Sequence, residues 1–373
     1  MVASFAAPSL SAQRPVFTVG GANPSFGSLP VAVATVPPGS ILVVRPGVHT
    51  GFTTNKPLRV LLDFDAAGGS IIPAAGAAYA IAIVGLPAGD DFVLVGRGSL
   101  VAPGAIGAIR VANGAAPVVI EGVTITSTTT RTGLEIGNVP AAHVRRSVLS
   151  GAPGLQVETT NCSLSECVVL GPAGVAAVAY DARLEVVRTF LTGTNQPALR
   201  LFGCVARLAS DGTTAINVAA PATLPVSPLE AFDCQLQFDP ARVGLVPVGT
   251  APALTALNCV VVPEEVPALM ASTAPPGQPA TVRMTSGVPR PGAIVLGETL
   301  LSPLPFGNAN IWVNTVTAPL VAAVGICDPL GLAAAVAIPT TPALRGAVFC
   351  LQGVVWLPNG APVLSGPGLW ITL

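Results

Sequence analysis

A four-residue pattern recurs through most of this chain: a small residue, an aliphatic residue, a variable residue and a second aliphatic residue. Successive copies lie about 23 residues apart, which is within the range of solenoid repeats. The alternation within each copy has a period of two, which is typical of a strand with one buried face. The first aliphatic residues of the nine copies are Ile81, Ile109, Leu134, Leu155, Val175, Leu199, Ile216, Leu245 and Leu269.

A second apolar run precedes most copies, as in Val148-Leu149, Val168–Leu170 and Phe190-Leu191. Most of these runs end at a glycine turn, and no segment keeps helical periodicity over the length that a helix requires. A unit of about 23 residues with two or three short strands is typical of one turn of a parallel β-helix. We therefore predict an all-β protein whose main body is a parallel β-helix of about nine turns.

The repeat stops near residue 273, where the composition also changes. The proline-rich segment Ala274–Ala280 is typical of a linker. All three tryptophans, Trp312, Trp356 and Trp370, follow it. This shift indicates a small β-sandwich-like domain with its own aromatic core. We predict an N-terminal arm or signal-peptide remnant over residues 1–29, a β-helix over 30–273 and the β-sandwich-like domain over 274–373.

The first residues, Met1–Gln13, are small and apolar, like the end of a secretory signal, and Ala12 is a plausible cleavage point. A basic segment of the kind that begins such signals is missing. We nevertheless predict that the protein is exported, because the predicted fold independently favours export.

The composition argues against two classes of partner. Charged residues make up 9% of the chain, and the formal net charge is −1. Nucleic-acid binding requires a basic surface that neutralises phosphates, and nothing here provides one. The longest uncharged apolar stretch near the N-terminus, Ala66–Gly89, is interrupted by glycine and proline, whereas a membrane span needs ~20 residues of continuous helix. We predict neither a nucleic-acid partner nor a membrane span.

Two phrases at the start of the array, within Val33–Gly47 and Asn55–Val60, resemble the first coils of right-handed parallel β-helix proteins. The resemblance is to the pectate-lyase-like superfamily in the broad sense, and it covers about residues 30–272. It implies a right-handed β-helix and says little about activity. The phrases Ile338–Gln352 and Gly368–Leu373 resemble C-terminal domains of secreted or surface proteins of planctomycetes and myxobacteria. That resemblance implies a secreted or cell-surface bacterial protein.

One group of charged residues could form a site on an outer face. Enzymes of this fold that act on acidic polysaccharides need carboxylates on adjacent turns, usually with a cation, to bind calcium or to act as acid and base. The period of two places Asp63 and Asp65 outward, and the strand beginning near Asp90 lies about one turn later. The alternative is that these are solvated turn residues. The candidate ligand-binding residues are Asp63, Asp65, Asp90, Asp91 and Arg97.

The pair His143 and Arg145 shares an outward face by the same alternation. Without a carboxylate nearby in sequence, we interpret His143 as an exposed loop histidine. The adjacent pair Arg145-Arg146 is interpreted as a solvated edge of one turn.

Seven cysteines do not all pair, and their spacing does not indicate zinc. Cys327 and Cys350 lie in the C-terminal part and could form one disulfide. The others lie in the repeat, where stacked free thiols that fill the core are the favoured interpretation. These are Cys162, Cys167, Cys204, Cys234 and Cys259.

The sequence leaves three functions open. The favoured hypothesis is an exported, non-catalytic surface protein whose β-helix rod serves adhesion or self-assembly, since low surface charge removes the repulsion that keeps proteins apart. The first alternative is a polysaccharide lyase or hydrolase with a divergent site on an outer face. The second is a non-catalytic glycan-binding module. Expected partners are other copies of the chain or a cell-surface polysaccharide, with no cofactor and with calcium as the candidate ion.

Overall fold

A computed structural model of the protein describes residues 14–64, 68–102, 107–128, 130–209, 212–219, 225–272, 278–314, 319–337 and 347–371. Strands dominate it, and the helix among the described residues is α1, Leu29–Thr35.

The strands fall into two groups along the chain. The parallel group comprises β1 Val16–Val19, β2 Ile41–Val44, β3 Gly47–Thr50, β4 Phe52–Thr54, β5 Arg59–Leu62, β6 Gly69–Ile72, β7 Tyr79–Val84, β8 Phe92–Ala102, β9 Gly107–Ala112, β10 Val118–Ser127, β11 Thr132–Gly137, β12 Ala141–Arg145, β13 Val148–Ser150, β14 Leu155–Glu158, β15 Asn161–Ser165, β16 Val168–Gly171, β17 Ala177–Tyr180, β18 Arg183–Val187, β19 Phe190–Thr194, β20 Leu199–Phe202, β21 Val205–Leu208, β22 Ala215–Ala219, β23 Leu229–Phe232, β24 Gln235–Gln237, β25 Gly244–Val246, β26 Leu254–Leu257 and β27 Val260–Val262. The antiparallel group comprises β28 Ala268–Ala271, β29 Pro279–Thr285, β30 Arg290–Phe306, β31 Ala309–Val313, β32 Leu320–Cys327, β33 Leu332–Ala337, β34 Val348–Trp356 and β35 Pro362–Ile371.

The parallel strands form a solenoid of about nine turns with three stacks. The first stack runs β1, β2, β5, β8, β10, β12, β15, β18, β21, β24, β27, and the second runs β3, β6, β8, β10, β13, β16, β19, β22, β25. The third runs β4, β7, β9, β11, β14, β17, β20, β23, β26. The long strands β8 and β10 belong to both the first and the second stack. The predicted all-β fold and its parallel β-helix of about nine turns are confirmed.

Register between turns places equivalent aliphatic residues in line. In the third stack Ile109 lies opposite Leu134, and Leu134 lies opposite Leu155. All three side chains are fully buried in a core that runs along the solenoid. Each turn therefore covers the apolar face of the one before it, and the burial of ladders of this kind is the main stabilising contribution.

The nine predicted copies of the repeat do not all belong to one stack. Ile216 and Leu245 lie in the second stack, and Leu269 lies in antiparallel β28. The true third-stack equivalents at those turns are Leu229 and Leu254. Strands of the second and third stacks alternate in the same way, so the pattern by itself does not identify the stack.

The corner between the third and first stacks is a ladder of single left-handed residues. Each has a φ between 47° and 63°, a conformation that Asn, Asp and Gly adopt most readily. Side-chain bonds join some neighbours, as from Asn138 Nδ2 to Asn113 Oδ1 at 3.3 Å. These left-handed positions recur once per turn, so they are a second periodic signal in the sequence, which the prediction from the aliphatic pattern did not use. Its members are Asn113, Asn138, Thr159, Asp181, Gly203, Asp233 and Asn258.

Helix α1 covers the core at the N-terminal end of the solenoid. Its residues Leu29, Ala32 and Val33 are buried in the solenoid core. Lys56 is the single lysine of the sequence. Its Nζ donates hydrogen bonds to the carbonyl oxygens of Val33, Ala34 and Val36 at 3.1, 2.6 and 3.0 Å. A cation at these carbonyls satisfies acceptors that a helix C-terminus leaves unpaired. At seven residues, α1 is too short to produce a helical period in the sequence.

The antiparallel strands form a three-stranded and a five-stranded sheet with a shared core. That core is mostly aliphatic, with Phe349 as an aromatic member among the described residues. Neither Trp312 nor Trp356 belongs to this core, contrary to the predicted aromatic core. Trp312 instead packs against the solenoid, Trp356 is partly exposed, and the side chain of Trp370 lies outside the described residues. Val16–Val19 pairs with β2, while residues 1–13 and 273–277 lie outside the described residues. The two boundaries between the three predicted segments stay predictions.

The left-handed corner predicts a difference between two substitutions at one exposed site. Asn138→Ala places a Cβ-bearing residue without a compensating side-chain bond at a φ of 55°, which costs about 1–2 kcal/mol. Asn138→Gly has no such penalty, so its free energy of unfolding should stay closer to that of the wild type. Urea denaturation of both variants measures this. Equal losses for Ala and Gly would show that the corner conformation is not strained.

Candidate functional site

The outward face of the first stack is covered by the antiparallel sheets. All five residues of β12 are buried, as are four of the five in β15 and β18. Strands of the third stack such as β14 and β17 instead alternate between buried and more exposed positions. The middle strands of the first stack, β12, β15 and β18, are therefore buried on both faces.

Trp312 in β31 anchors this contact. Its indole Nε1 donates to Glu185 Oε2 at 3.2 Å, and its ring packs edge-to-face with the His143 ring at a centroid distance of 4.7 Å. Its backbone N–H donates to Gln352 Oε1 at 3.0 Å. The side chain is fully buried with Val313 and Cys350 against apolar residues of the first stack. Trp312 thus fixes the position of the sheets on the solenoid.

A buried ion pair lies beside this tryptophan. Arg207 Nη1 and Glu185 Oε1 are 3.3 Å apart, and both side chains are almost fully buried. Burial raises the pKa of Glu185 and lowers the pKa of Arg207, while the charge of each partner opposes that shift in the other. Arg207 also donates to Gln237 Oε1 at 3.0 Å and to the backbone oxygen of Leu364. Because Arg207 donates both to residues of the solenoid and to the antiparallel sheets, the pair holds these two parts of the chain together.

A second charged group lies on the same face. Arg145 is 2% exposed, and it donates to the backbone oxygen of Ala271 in β28. Its guanidinium lies 3.6 Å from Glu166, and Arg146 lies 3.3 Å from the same carboxylate. The prediction of a solvated arginine pair at a turn edge is wrong for Arg145, because the antiparallel sheets cover this edge.

His143 is also buried, so the prediction of an exposed loop histidine is wrong. The ring is 1% exposed, and its Nδ1 lies 3.2 Å from Ser163 Oγ. Burial lowers the pKa of His143 to about 3. The ring is therefore neutral near pH 7, and it packs against Trp312 without access to a substrate.

Asp90 and Asp91 are paired with arginines of the chain. Arg59 reaches Asp91 at 2.6 Å and Asp90 at 3.2 Å, and Arg14 reaches Asp90 at 2.6 Å. Burial acts to raise the pKa of Asp90, but the hydrogen bond from Arg14 and the charge of Arg59 outweigh it and lower the pKa. For Asp91, burial outweighs the attraction of Arg59 and raises the pKa. Asp90 thus ties Arg14 to the first turns, while Asp91 holds Arg59.

The remaining predicted ligands do not join them. Asp63 is exposed and pairs with Arg45. Arg59 lies opposite Val93 in register, so Asp63 and Asp91 lie at opposite ends of one strand pair, on the order of 20 Å apart. Asp65 and the side chain of Arg97 lie outside the described residues. Within the described ranges, no group of three or more His, Cys, Asp or Glu residues is placed to hold a metal ion.

The repeat cysteines form part of the buried core. The backbone N–H of Cys204 lies 3.3 Å from Cys234 Sγ, and that of Cys234 lies 3.4 Å from Cys259 Sγ. Successive turns thus place a thiol at the same corner, which agrees with the predicted stack of free thiols in the core. Burial raises the pKa of Cys162 and raises that of Cys167 to about 12.

The structure does not bring the predicted disulfide pair together. Cys327 lies opposite Arg290 of β30 and Cys350 opposite Gly297, seven residues further along that strand. That separation is on the order of 20 Å, whereas a disulfide needs Cα atoms within ~7 Å. Both residues are free buried thiols.

The C-terminal end of the solenoid is open, in contrast to the end covered by α1. Among the described residues, β25, β26 and β27 each pair with a strand of the preceding turn alone. We call this last turn the open turn. Its outer edges carry backbone N–H and C=O groups that no further turn receives, which is a template for pairing with another chain.

The inward residues of the open turn are also uncovered. Leu236 is 1% exposed, yet Val261, its equivalent one turn later, is 38% exposed. Leu245 and Leu254 are likewise partly exposed, whereas the residues opposite them on the preceding turn are fully buried. Outward apolar residues extend this surface: Val246, Leu257 and Val260 are each more than half exposed. The open turn is the candidate functional surface of the described chain.

Comparison with known proteins gives no family. No protein-family model matches the chain, and no curated protein matches it. Among the described residues, no helix has the length and apolar character needed to cross a membrane.

The buried His143 predicts a specific loss of stability in acid. Its folded pKa, about 3, lies below the usual value of 6.5, so its contribution is complete above pH 6.5 and declines as the pH falls. Between pH 7 and pH 5 the wild type should lose about 2 kcal/mol more than His143→Gln. Urea denaturation at both pH values measures this difference. Parallel pH profiles for the two proteins would mean that His143 is not buried.

The thiols predict a labelling pattern. In dilute native protein, a maleimide should modify Cys259 first, because it is the partly exposed cysteine, and the other six should resist. All seven should react in denaturant without reductant. Mass spectrometry counts the labels, and Cys259→Ser is the control that removes native labelling. Five labels in denaturant would instead indicate one disulfide.

Proposed function

We propose that this is an exported, non-catalytic surface protein that self-associates through the open turn of its solenoid. The observation that carries the proposal is the contrast between the two ends. Helix α1 covers the core at the N-terminal end, while apolar core residues and unpaired strand edges remain accessible at the open turn. An exposed apolar patch of this kind on a soluble protein marks an interaction surface.

The partner that fits the open turn best is a second copy of the chain. A twofold axis across the solenoid places two open turns face to face, so their strands run antiparallel and pair along the edges. The apolar residues Leu257, Val260 and Val261 then bury against their own equivalents. A formal net charge of −1 gives little repulsion between copies.

This geometry favours a closed dimer over a filament. Head-to-tail stacking would require an accessible core at both ends of the solenoid, and α1 would have to leave the N-terminal end. Tail-to-tail pairing uses the same surface on both copies and therefore stops at two. For a surface protein, such a dimer is a rod of about twice the single length, with the covered first stack and the antiparallel sheets in both halves.

The two alternatives from the sequence gain less support. A polysaccharide-cleaving site needs carboxylates available to substrate, and Asp90 and Asp91 are engaged by Arg14 and Arg59. A glycan-binding platform needs an open aromatic face. Tyr180, Phe202 and Phe232 do form a ladder on the third stack, but their rings stack on one another at centroid distances of 5.1 Å, which occupies their faces.

Charged substitutions in the open turn test the proposal. The variant Leu257→Glu with Val260→Lys changes two side chains that are about 60% exposed, so the fold should be retained. Wild type should show a dimer mass in size-exclusion chromatography with light scattering, and this variant should be a monomer with at least a tenfold weaker association.

The matched control is Val48→Lys, which alters a 72% exposed valine of β3 near the other end of the solenoid. It should dimerise like the wild type. A wild-type protein that remains a monomer across a concentration series would overturn the proposal, as would dimers that the open-turn variant leaves intact.

A further inference from the structure

Three cysteines occupy the same position on the last three turns of the solenoid. Each follows a strand of the third stack and precedes a strand of the first stack, and both sets of strands are in register from turn to turn. Neighbouring strands lie about 4.8 Å apart, and a disulfide joins Cα atoms ~4.4–6.8 Å apart. Neighbouring cysteines of the row are therefore close enough to be joined. We call this row the thiol column, and its members are Cys204, Cys234 and Cys259.

The side chains of the thiol column point toward one another along the solenoid. The backbone N–H of Cys204 donates to Cys234 Sγ at 3.3 Å, and that of Cys234 donates to Cys259 Sγ at 3.4 Å. Each sulfur therefore lies against the cysteine of the preceding turn. The Cys204 thiol also donates to Cys234 Sγ, and this bond outweighs burial and lowers the pKa of Cys234. The ionised form of Cys234, which is the form that attacks another sulfur, is thereby favoured.

The hydrogen bonds of the thiol column do not require sulfur. Each of its thiols donates to the backbone oxygen two residues earlier in the chain, at 3.1–3.3 Å. A second column, at the corner between the first and second stacks, makes the same bond with Ser147, Cys167 and Thr189. A hydroxyl therefore fills such a position as well as a thiol does. Three adjacent sulfur atoms add a property that this bond does not explain, which is the capacity to form a disulfide.

The members of the thiol column differ in their access to solvent. Cys204 and Cys234 are 1% and 2% exposed, whereas Cys259 is partly exposed because it lies in the open turn. A reagent in solution therefore meets Cys259 first. Cys234 is shielded from that reagent but lies next to the Cys259 sulfur, so it is placed to react with Cys259 within the chain.

We propose that Cys259 and Cys234 form a reversible disulfide by exchange with a small-molecule disulfide, and that this bond joins the open turn to the turn before it. The Cys259 thiolate attacks one sulfur of the reagent, whose S–S bond breaks, so that a mixed disulfide forms and one small thiolate leaves. The Cys234 thiolate then attacks the Cys259 sulfur and displaces the second small thiolate. The chain is oxidised by two electrons, the reagent is reduced to two thiols, and the two protons of the cysteines pass to the released thiolates. The pair belongs to a single chain and does not depend on self-association.

Oxidised glutathione, added to dilute reduced protein at mildly alkaline pH, tests the pair. Labelling with a maleimide in denaturant should then count five free thiols of the seven, and peptide mapping should find the bond between Cys234 and Cys259. Dithiothreitol should restore all seven. The oxidised protein should melt a few degrees higher, because the cross-link restricts the unfolded chain.

Replacement of the second cysteine separates the two steps. Cys234→Ala should accumulate the glutathione adduct on Cys259, since no neighbouring thiolate remains to displace the glutathione. The variant should fold, because Ala182 occupies the same position on the turn before Cys204. Cys204→Ala should slow closure of the disulfide severalfold, since it removes the hydrogen bond that favours the Cys234 thiolate. If Cys234→Ala fails to fold, Cys259→Ser gives the same test, and all six of its thiols should stay free.

The matched control is Cys167→Ser, which alters a buried cysteine outside the thiol column. Ser147 and Thr189 hold the same position on the turns before and after it, so the variant should fold and should form the disulfide at the wild-type rate. Seven free thiols after oxidation would overturn the proposal. So would a glutathione adduct that persists on the wild type, or a disulfide between two chains.

Discussion

Backbone hydrogen bonds between consecutive turns hold equivalent residues of the solenoid one above another, and the other features of the molecule depend on that alignment. It turns a recurring aliphatic residue into a continuous buried ladder, as with Ile109, Leu134 and Leu155. It also turns a recurring Asn or Asp into a left-handed corner and places Cys204, Cys234 and Cys259 in a row. A residue type that suits one turn suits its neighbours, because each meets nearly the same surroundings.

A turn at either end of the solenoid lacks a neighbour on one side, so its apolar core residues and backbone groups would be exposed there. At the N-terminal end α1 covers the core, and Lys56 binds the C-terminal carbonyls of this helix. At the other end the chain leaves the solenoid for the antiparallel sheets, and the open turn keeps partly exposed core residues such as Val261. The asymmetry between the ends is what makes a twofold pairing of copies more consistent with the geometry than an endless stack.

The antiparallel sheets alter the character of the first stack. Charged residues that would face water on an isolated solenoid are buried under the sheets. Arg145 and Arg207 donate to backbone oxygens of the sheets, and Glu185 accepts from the indole N–H of Trp312. Buried ion pairs contribute little net stability, but removal of one partner is strongly destabilising, so they specify one arrangement of the two parts.

The sequence by itself determined the strand content, the period and the parallel stacking, because a period-two pattern repeated about every 23 residues has few other solutions. It did not determine which stack a copy such as Ile216 occupies, since two stacks alternate alike. It also grouped Asp63 with Asp91, which register places at opposite ends of one strand pair. Only the tertiary structure decided that His143 and Arg145 are buried, that Trp312 serves an interface and that one end is open. Those outcomes depend on how residues more than a hundred positions away fold back on the solenoid, and local periodicity carries no information about that contact.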